Sequence, residues 1–102
     1  MNIIIIGCGK VGSALAAQLS NEDHNLVVID TNPQKVQEFS ETYDVLGITG
    51  NASSISVLSN ADVEHAHMLI AVTGSDELNL LCCLIAKKVS SCHTIARVRN
   101  PA

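Results

Sequence analysis

The stretch IIIIGCGKVGSALA, residues Ile3–Ala16, decides the fold of this chain of 102 residues. Four isoleucines lead into three glycines with the spacing G-x-G-x-x-G, at Gly7, Gly9 and Gly12. An unbroken run of branched aliphatic residues predicts a strand that is buried on both faces of a parallel sheet. A helix is predicted directly after it, over residues 10–20. This order is typical of a dinucleotide-binding turn, although the glycine motif alone also fits a turn in which the glycines only serve packing.

Strands and helices alternate along the rest of the chain. Apolar runs predict four further strands, at Leu26–Ile29, Val45–Ile48, Met68–Val72 and Thr94–Val98. Helix-starting residues lie between them, at Asn32-Pro33, at Ser53 or Ser54, and near Thr73–Ser75. Repeated βα units imply right-handed crossovers and a parallel sheet that binds ligands at the carboxyl ends of its strands. We therefore predict one α/β domain over residues 1–102, a Rossmann-type doubly wound parallel sheet in three α/β/α layers.

The composition excludes several classes of function. The formal net charge of −4 and the scattered basic residues argue against a surface that binds nucleic acid. No apolar run approaches the length of a transmembrane helix, so we predict no direct insertion into a membrane. The four cysteines have no spacing typical of disulfides, which favours reduced thiols in the cytoplasm. They are Cys8, Cys82, Cys83 and Cys92.

Asp30 strengthens the dinucleotide interpretation of the glycine motif. It ends the second predicted strand, eighteen residues after Gly12, where a carboxylate can bind both ribose hydroxyls of an adenosine. Gly7 would permit the tight turn, Gly9 the approach of a pyrophosphate, and Gly12 the packing of helix on strand. Free N–H groups of the first helical turn would then hold the phosphates. Because no arginine near Asp30 in the sequence could bind a 2′-phosphate, NAD+/NADH or ATP/ADP is favoured over NADP(H).

Two further features have both a chemical and a structural interpretation. His65 and His67 form an H-x-H pair, but no third ligand lies at metal spacing, and we predict no metal site. Cys8 lies in the glycine turn near a helix N-terminus. Either the helix lowers the pKa of its thiol, or the residue is there only because its side chain is small enough for a crowded turn. Nothing after Val98 is long enough to form the substrate pocket that hydride transfer requires. We therefore predict no catalytic residue.

The helix predicted after Ser75 carries two apolar stripes. One stripe is expected to face the sheet and consists of Leu78, Leu81, Cys82, Ile85 and Val89. The other falls on the opposite side and consists of Leu80, Cys83 and Leu84. The second stripe indicates either a surface for a partner or ordinary exposed leucines.

Four segments of the chain together resemble a known family. They are Ile3–Ala16, VVIDTNPQKV at 27–36, the long segment 47–88 and TIARVRNP at 94–101. They are similar to the nucleotide-binding lobe of RCK/KTN domains, and most closely to the TrkA N-terminal lobe of peripheral subunits in bacterial Trk potassium uptake systems. The most specific parts are GNAS at 50–53, AVTGSDELN at 71–79 and ARVR at 96–99.

The resemblance implies a regulator that is not an enzyme. Lobes of this family bind NAD+/NADH or ATP/ADP and assemble as homo-oligomers, either dimers or tetramers. They act from the cytoplasmic face of the membrane on a membrane-embedded potassium transporter or channel subunit. Full RCK domains continue into a second lobe, so we expect residues 1–102 to be one lobe of a longer chain. NAD(H) is favoured over ATP/ADP, and the alternative is the nucleotide-binding half of an NAD-dependent oxidoreductase.

The resemblance also implies which residues bind the cofactor. They lie in the loops that follow the predicted strands: Gly7, Cys8, Gly9, Lys10, Val11, Gly12, Asp30, Thr31, Asn51, Ala52, Thr73, Gly74 and Arg97. The glycine loop would surround the diphosphate, and Asp30 with Thr31 would bind the ribose. Lys10 would contact a phosphate of its own nucleotide or of a nucleotide on a neighbouring subunit.

Overall fold

The isoleucine run forms the central strand of a five-stranded parallel sheet in the computed structural model, which describes residues 1–99. Strand β1, Asn2–Ile6, lies at the centre because its side chains are buried on both faces. The other strands are β2 (Asn25–Asp30), β3 (Leu46–Thr49), β4 (Met68–Ala71) and β5 (His93–Ala96). All neighbours pair in parallel in the order β3-β2-β1-β4-β5.

Helices join successive strands, and their starts follow local sequence signals. They are α1 (Lys10–Leu19), α2 (Pro33–Tyr43), α3 (Ile55–Asn60) and α4 (Asp76–Val89), with a short 3₁₀ helix at Val63–His65. The Asn32 side chain caps α2 by accepting hydrogen bonds from the N–H groups of Gln34 and Lys35. The Ser75 hydroxyl caps α4 by accepting from the N–H of Leu78.

Two apolar layers cover the sheet, and the predicted three-layer α/β/α fold is confirmed. On one face, Ile3 and Ile5 lie in a core with Val36 and Phe39 of α2. On the other face, alternate strand residues pack with α3 and α4, among them Leu58 and Cys82. In the part of the chain that the structure describes, none of the helices is long and apolar enough to cross a bilayer.

Strand β5 is shorter than predicted. It ends at Ala96, because three residues later the chain is hydrogen-bonded to α4. The N–H of Arg99 donates to both carboxylate oxygens of Asp76 at 3.1 Å. Val98 therefore lies outside the sheet, while Asn100 and Pro101 of the segment TIARVRNP lie outside the described residues.

The predicted faces of α4 are partly wrong. The buried face consists of Asn79, Cys82, Cys83 and Ala86, which have the i, i+3, i+4, i+7 spacing of one helix face. Cys83 therefore faces the core, whereas exposure reaches 45% at Leu81 and 37% at Val89. Leu80 and Leu84 are exposed as predicted, at 48% and 63%. The face is displaced because the polar Asn79, which hydrophobic periodicity assigns to solvent, lies in the core.

Candidate functional site

A cavity of about 420 Å³ lies at the carboxyl ends of β1, β2, β4 and β5. Its walls come from the loops after these strands, at Gly9–Val11, Asp30–Thr31 and Thr73–Ser75, and from Arg97. The cavity lies where the strand order reverses, because β1 continues to β2 on one side and pairs with β4 on the other. Ligands of doubly wound α/β domains bind at this topological switch point.

Geometry requires glycine at two of the three positions of the first loop, and the third borders the cavity. Gly7 has a φ of +111°, a backbone conformation that residues other than glycine rarely adopt. A Cβ on Gly12 would lie 2.0 Å from the carbonyl oxygen of Gly7, so only glycine allows α1 to pack here. A Cβ on Gly9 would meet nothing within 4 Å, because this residue borders the open cavity.

The first turn of α1 presents unpaired backbone donors at the cavity. Gly9 is the N-cap, and it provides no side-chain hydrogen bond to the N–H groups that begin the helix. These N–H groups have no partner within the helix, and they carry the positive end of its dipole. Since Gly9, Lys10 and Val11 line the cavity, this wall is suited to the oxygens of a phosphate.

Asp30 joins two walls of the cavity. Its Oδ2 accepts a hydrogen bond from the N–H of Cys8 at 2.8 Å, and its Oδ1 accepts from the N–H of Asn32 at 3.0 Å. The carboxylate therefore holds the glycine loop against the loop that begins α2. Each carboxylate oxygen has further lone pairs, so both can still accept from ribose hydroxyls.

The charge of the cavity is positive although the chain is acidic. Three cationic residues line it, Lys10, Lys35 and Arg97, against the single carboxylate of Asp30. None of the ion pairs within residues 1–99 involves these three cations. Sequence reasoning missed Lys35, whose only signal is its position in the first turn of the helix after Asp30. No arginine near Asp30 in the sequence could bind a 2′-phosphate, but Lys35 adds a cation to the cavity that contains Asp30.

The structure brings most of the predicted site residues to this one cavity. Those that line it are Gly9, Lys10, Val11, Asp30, Thr31, Ala52, Thr73, Gly74 and Arg97. Those that do not are Gly7, Cys8, Gly12 and Asn51. The Asn51 side chain instead accepts hydrogen bonds from the N–H and hydroxyl of Ser53, at 2.9 and 2.8 Å. This turn presents Ala52 to the cavity in place of Asn51.

Comparison with known proteins assigns the family. The sequence model of the TrkA-N domain matches residues 3–102. The chain belongs to the TrkA-N domain family. A Trk system potassium uptake protein TrkA homolog from Archaeoglobus fulgidus is 45% identical over 101 residues, which cover 99% of this chain and 23% of that protein. This TrkA-N domain thus spans less than a quarter of the length of that relative.

Solved structures confirm the fold of this TrkA-N domain. The GsuK channel bound to NAD superposes with a TM-score of 0.87 at 26% identity, covering 98% of this chain and 18% of that one. Saccharopine dehydrogenase from Saccharomyces cerevisiae superposes with a TM-score of 0.79 at 14% identity, covering 98% and 22%. At that identity the dehydrogenase shows a shared fold and nothing about activity.

Cys8 of this TrkA-N domain is not an acidified thiol. Burial, and after it the negative charge of Asp30, raise the pKa of its thiol to about 11, while the positive charge of Lys35 opposes the shift. The residue lines a separate groove of about 290 Å³ against α2, beside Phe39 and Tyr43. The interpretation as a small side chain in a crowded turn fits this environment, and the hypothesis of an acidic redox thiol is wrong.

The two histidines of the H-x-H pair have separate partners. His65 Nδ1 lies 2.7 Å from a carboxylate oxygen of Asp62, and this hydrogen bond raises the pKa of the exposed imidazole. His67 Nδ1 accepts a hydrogen bond from the N–H of Asn2 at 2.9 Å. No group of three or more His, Cys, Asp or Glu side chains suited to a metal ion occurs among residues 1–99.

Asn79 contributes to the site although no sequence argument singled it out. It is fully buried on α4, and its side chain is hydrogen-bonded to Thr73 and to the carbonyl of Arg97. Its position as the last residue of the segment AVTGSDELN was a signal of the family resemblance. Hydrophobic periodicity could not identify it, because that method assigns a polar residue to the solvent side.

Proposed function

We propose that this TrkA-N domain binds NAD+/NADH in the cavity and regulates potassium uptake without catalysing a reaction. The observation that carries the proposal is the cavity itself, which combines the unpaired N–H groups of α1 with three cations and one carboxylate. A dinucleotide needs donors for its diphosphate and an acceptor for its ribose, and the cavity supplies both. The membership of the TrkA-N family and the NAD-bound GsuK channel support this choice of ligand.

Each wall of the cavity would contact one part of the nucleotide. The N–H groups of Gly9–Val11 and the ammonium group of Lys10 would hold the diphosphate. Asp30 would accept from the adenosine ribose, with Thr31 beside it, and Ala52 would contact the adenosine. Thr73 and Gly74 would border the mouth, and Arg97 would reach the phosphates or the distal end of the ligand. ATP or ADP shares the adenosine and phosphate groups and is the alternative ligand.

Family membership and the name of the relative from Archaeoglobus fulgidus favour a regulatory role over a catalytic one for this cavity. Its titratable lining residues are Asp30 and the three cations, and the Asp30 carboxylate already accepts two backbone hydrogen bonds. The thiol of Cys8, with its raised pKa, lines a different groove. We therefore infer that the domain is not half of an oxidoreductase, and that its ligand acts by shifting a conformational equilibrium. Only a nucleotide that binds two conformations with different affinity can do so.

We further propose a membrane-embedded potassium transporter or channel subunit as the partner, contacted from the cytoplasmic side. The name of the relative from Archaeoglobus fulgidus and the GsuK channel support this partner. The exposed leucines Leu80, Leu81 and Leu84 on α4 support association of the domain with further copies of itself.

Calorimetric titration with NAD+, NADH, ATP, ADP and NADP+ tests the proposed ligand. We expect saturable binding of NAD+ and NADH that is tighter than that of the other three. Lys10→Ala should weaken it about tenfold, because a charge-assisted hydrogen bond contributes about 1.5–3 kcal/mol. Lys88→Ala is the matched control, since Lys88 lies in the last turn of α4, away from the cavity. Absence of binding for all five nucleotides, or turnover of NADH, would refute the proposal.

A further inference from the structure

Asn79 is the buried polar residue of the core that residues 1–99 form. Its Oδ1 accepts hydrogen bonds from the N–H of Thr73 at 2.9 Å and from the Thr73 hydroxyl at 2.7 Å. Its Nδ2 donates to the carbonyl oxygen of Thr73 at 3.2 Å and to that of Arg97 at 3.0 Å. Both amide protons and both lone pairs of the oxygen are therefore used, and they are used by two cavity-lining residues.

The side chain lies where two strands separate. Ala71 and Ala96 are the last paired residues of β4 and β5, and the N–H of Arg97 still donates to the carbonyl oxygen of Ala71 at 2.9 Å. The strand pairing ends here, and the amide of Asn79 hydrogen-bonds to the segments that follow both strands. The side chain of Asn79 thus joins the two segments where the backbone hydrogen bonds between β4 and β5 end, at the wall of the cavity.

Further bonds attach the chain after β5 to the same loop. The N–H of Arg99 donates to the carboxylate of Asp76, and the guanidinium group of Arg99 donates to the carbonyl oxygen of Gly74. Gly74 lines the cavity and Asp76 is the first residue of α4. The segment Arg97–Arg99 is therefore docked on the loop that begins α4.

We propose that Asn79 is a positioning residue that couples nucleotide occupancy at Thr73–Gly74 to the segment Arg97–Arg99. The coupling rests on the proposed function, because it requires a ligand in the cavity. A ligand that contacts Thr73 or Gly74 limits the motion of this loop. The buried amide of Asn79 transmits the restriction to the carbonyl of Arg97 and so to the chain that leaves β5.

Amide hydrogen exchange measured by NMR on the unliganded chain tests the positioning role. Asn79→Asp keeps the acceptor for the N–H and hydroxyl of Thr73 and removes the Nδ2 donor, which bonds the carbonyl oxygens of Arg97 and Thr73. We expect exchange at Arg97–Arg99 to become about tenfold faster, because one of the two lost buried hydrogen bonds is the bond to the carbonyl of Arg97. Cys82→Ala is the matched control, because Cys82 lies on the same buried face of α4 and has no bond to the cavity loops. Equal acceleration in both variants would show a general loss of stability and refute the positioning role.

Repeating the measurement with saturating NAD+ tests the coupling. In the wild-type chain, NAD+ should slow exchange at Thr73–Ser75 and at Arg97–Arg99. In Asn79→Asp it should still slow exchange at Thr73–Ser75. The slowing at Arg97–Arg99 should be smaller than in the wild type, because only the direct contact of Arg97 with the ligand and the bonds of Arg99 are independent of Asn79. Protection of Arg97–Arg99 in the variant as strong as in the wild type would overturn the coupling.

The side-chain NH₂ signal of Asn79 in the wild-type chain provides a test that needs no variant. Its protons should exchange slowly without ligand and more slowly with NAD+. Fast exchange without ligand would refute the buried hydrogen bonds of Asn79 to Thr73 and Arg97. A chain that binds no nucleotide would overturn the coupling together with the proposed function. In that case, slow exchange of the Asn79 amide would still establish its positioning role, so the two failures are distinguishable.

Discussion

Gly12 and Gly9 allow stability and ligand binding to be separated by adding one methyl group at each position. In Gly12→Ala the new Cβ would lie 2.0 Å from the carbonyl oxygen of Gly7. Helix α1 must therefore move away by about 1 Å, a gap that forfeits a quarter to a half of the dispersion energy of each contact. The contacts affected are those of the α1 side chains that pack on the sheet, Val11, Leu15, Ala16 and Leu19. We expect a loss of about 1–3 kcal/mol in the free energy of unfolding, the usual cost of overpacking.

Gly9→Ala is the matched variant, because its Cβ would meet nothing within 4 Å. Its free energy of unfolding should stay within about 1 kcal/mol of wild type, since the cost of alanine at an N-cap is offset in part by the lower entropy of the unfolded chain. Its methyl group would nevertheless occupy the space next to the N–H groups of α1, so NAD+ binding should be lost.

Urea unfolding and calorimetry measure the two effects independently. The unfolding midpoint of Gly12→Ala should fall by about 1 M, given a typical slope for a small domain, and that of Gly9→Ala should not change appreciably. A Gly12→Ala chain as stable as wild type would contradict the packing argument. A Gly9→Ala chain that binds NAD+ normally would contradict the assignment of this loop to the phosphates.

Three further outcomes follow from the structure. Asp30→Ala should weaken NAD+ binding at least about tenfold through the lost ribose acceptor, and unchanged affinity by calorimetry would refute the ribose role. Because the pKa of Cys8 is raised to about 11, its alkylation rate should be very low at pH 8 and should still rise between pH 9 and 11; a plateau below pH 9 would contradict this. Leu84→Lys should leave the unfolding free energy nearly unchanged, because this side chain is exposed, but should lower the sedimentation coefficient if copies associate through Leu80 and Leu84. Identical sedimentation of an oligomeric wild type and the variant would exclude this surface.

The sheet and the first two loops could be predicted because their signals are local. A strand buried on both faces requires an unbroken apolar run, and the residues at 3–6 supply one. The roles of Gly7 and Gly12 follow from a steric rule that does not depend on the rest of the chain. Asp30 was recognisable because its strand ends beside the glycine loop in every doubly wound domain with this motif.

The remaining features depend on the orientation of helices, which the sequence specifies less directly. Lys35 lines the cavity only because of the way α2 leaves its cap at Asn32. The buried face of α4 was misplaced because Asn79 is buried by hydrogen bonds, and hydropathy does not register them. The effect extends along the helix, since placing Asn79 inward brings Cys83 into the core and turns Leu81 outward.

The position of β1 in the sheet has a consequence for the order in which the parts of the fold can form during synthesis. Residues 3–6 pair with residues 25–30 on one side, but on the other side they pair with residues 68–71, about sixty residues later. During translation the first three strands and two helices leave the ribosome before β4 and β5 do, and chains fold from the N-terminus as they emerge. The glycine loop and Asp30 can meet at that stage, whereas Thr73 and Arg97 complete the cavity last. A nascent chain thus completes this candidate site only after Arg97 has emerged, so a nucleotide could bind the finished domain but could not guide the folding of its first three strands.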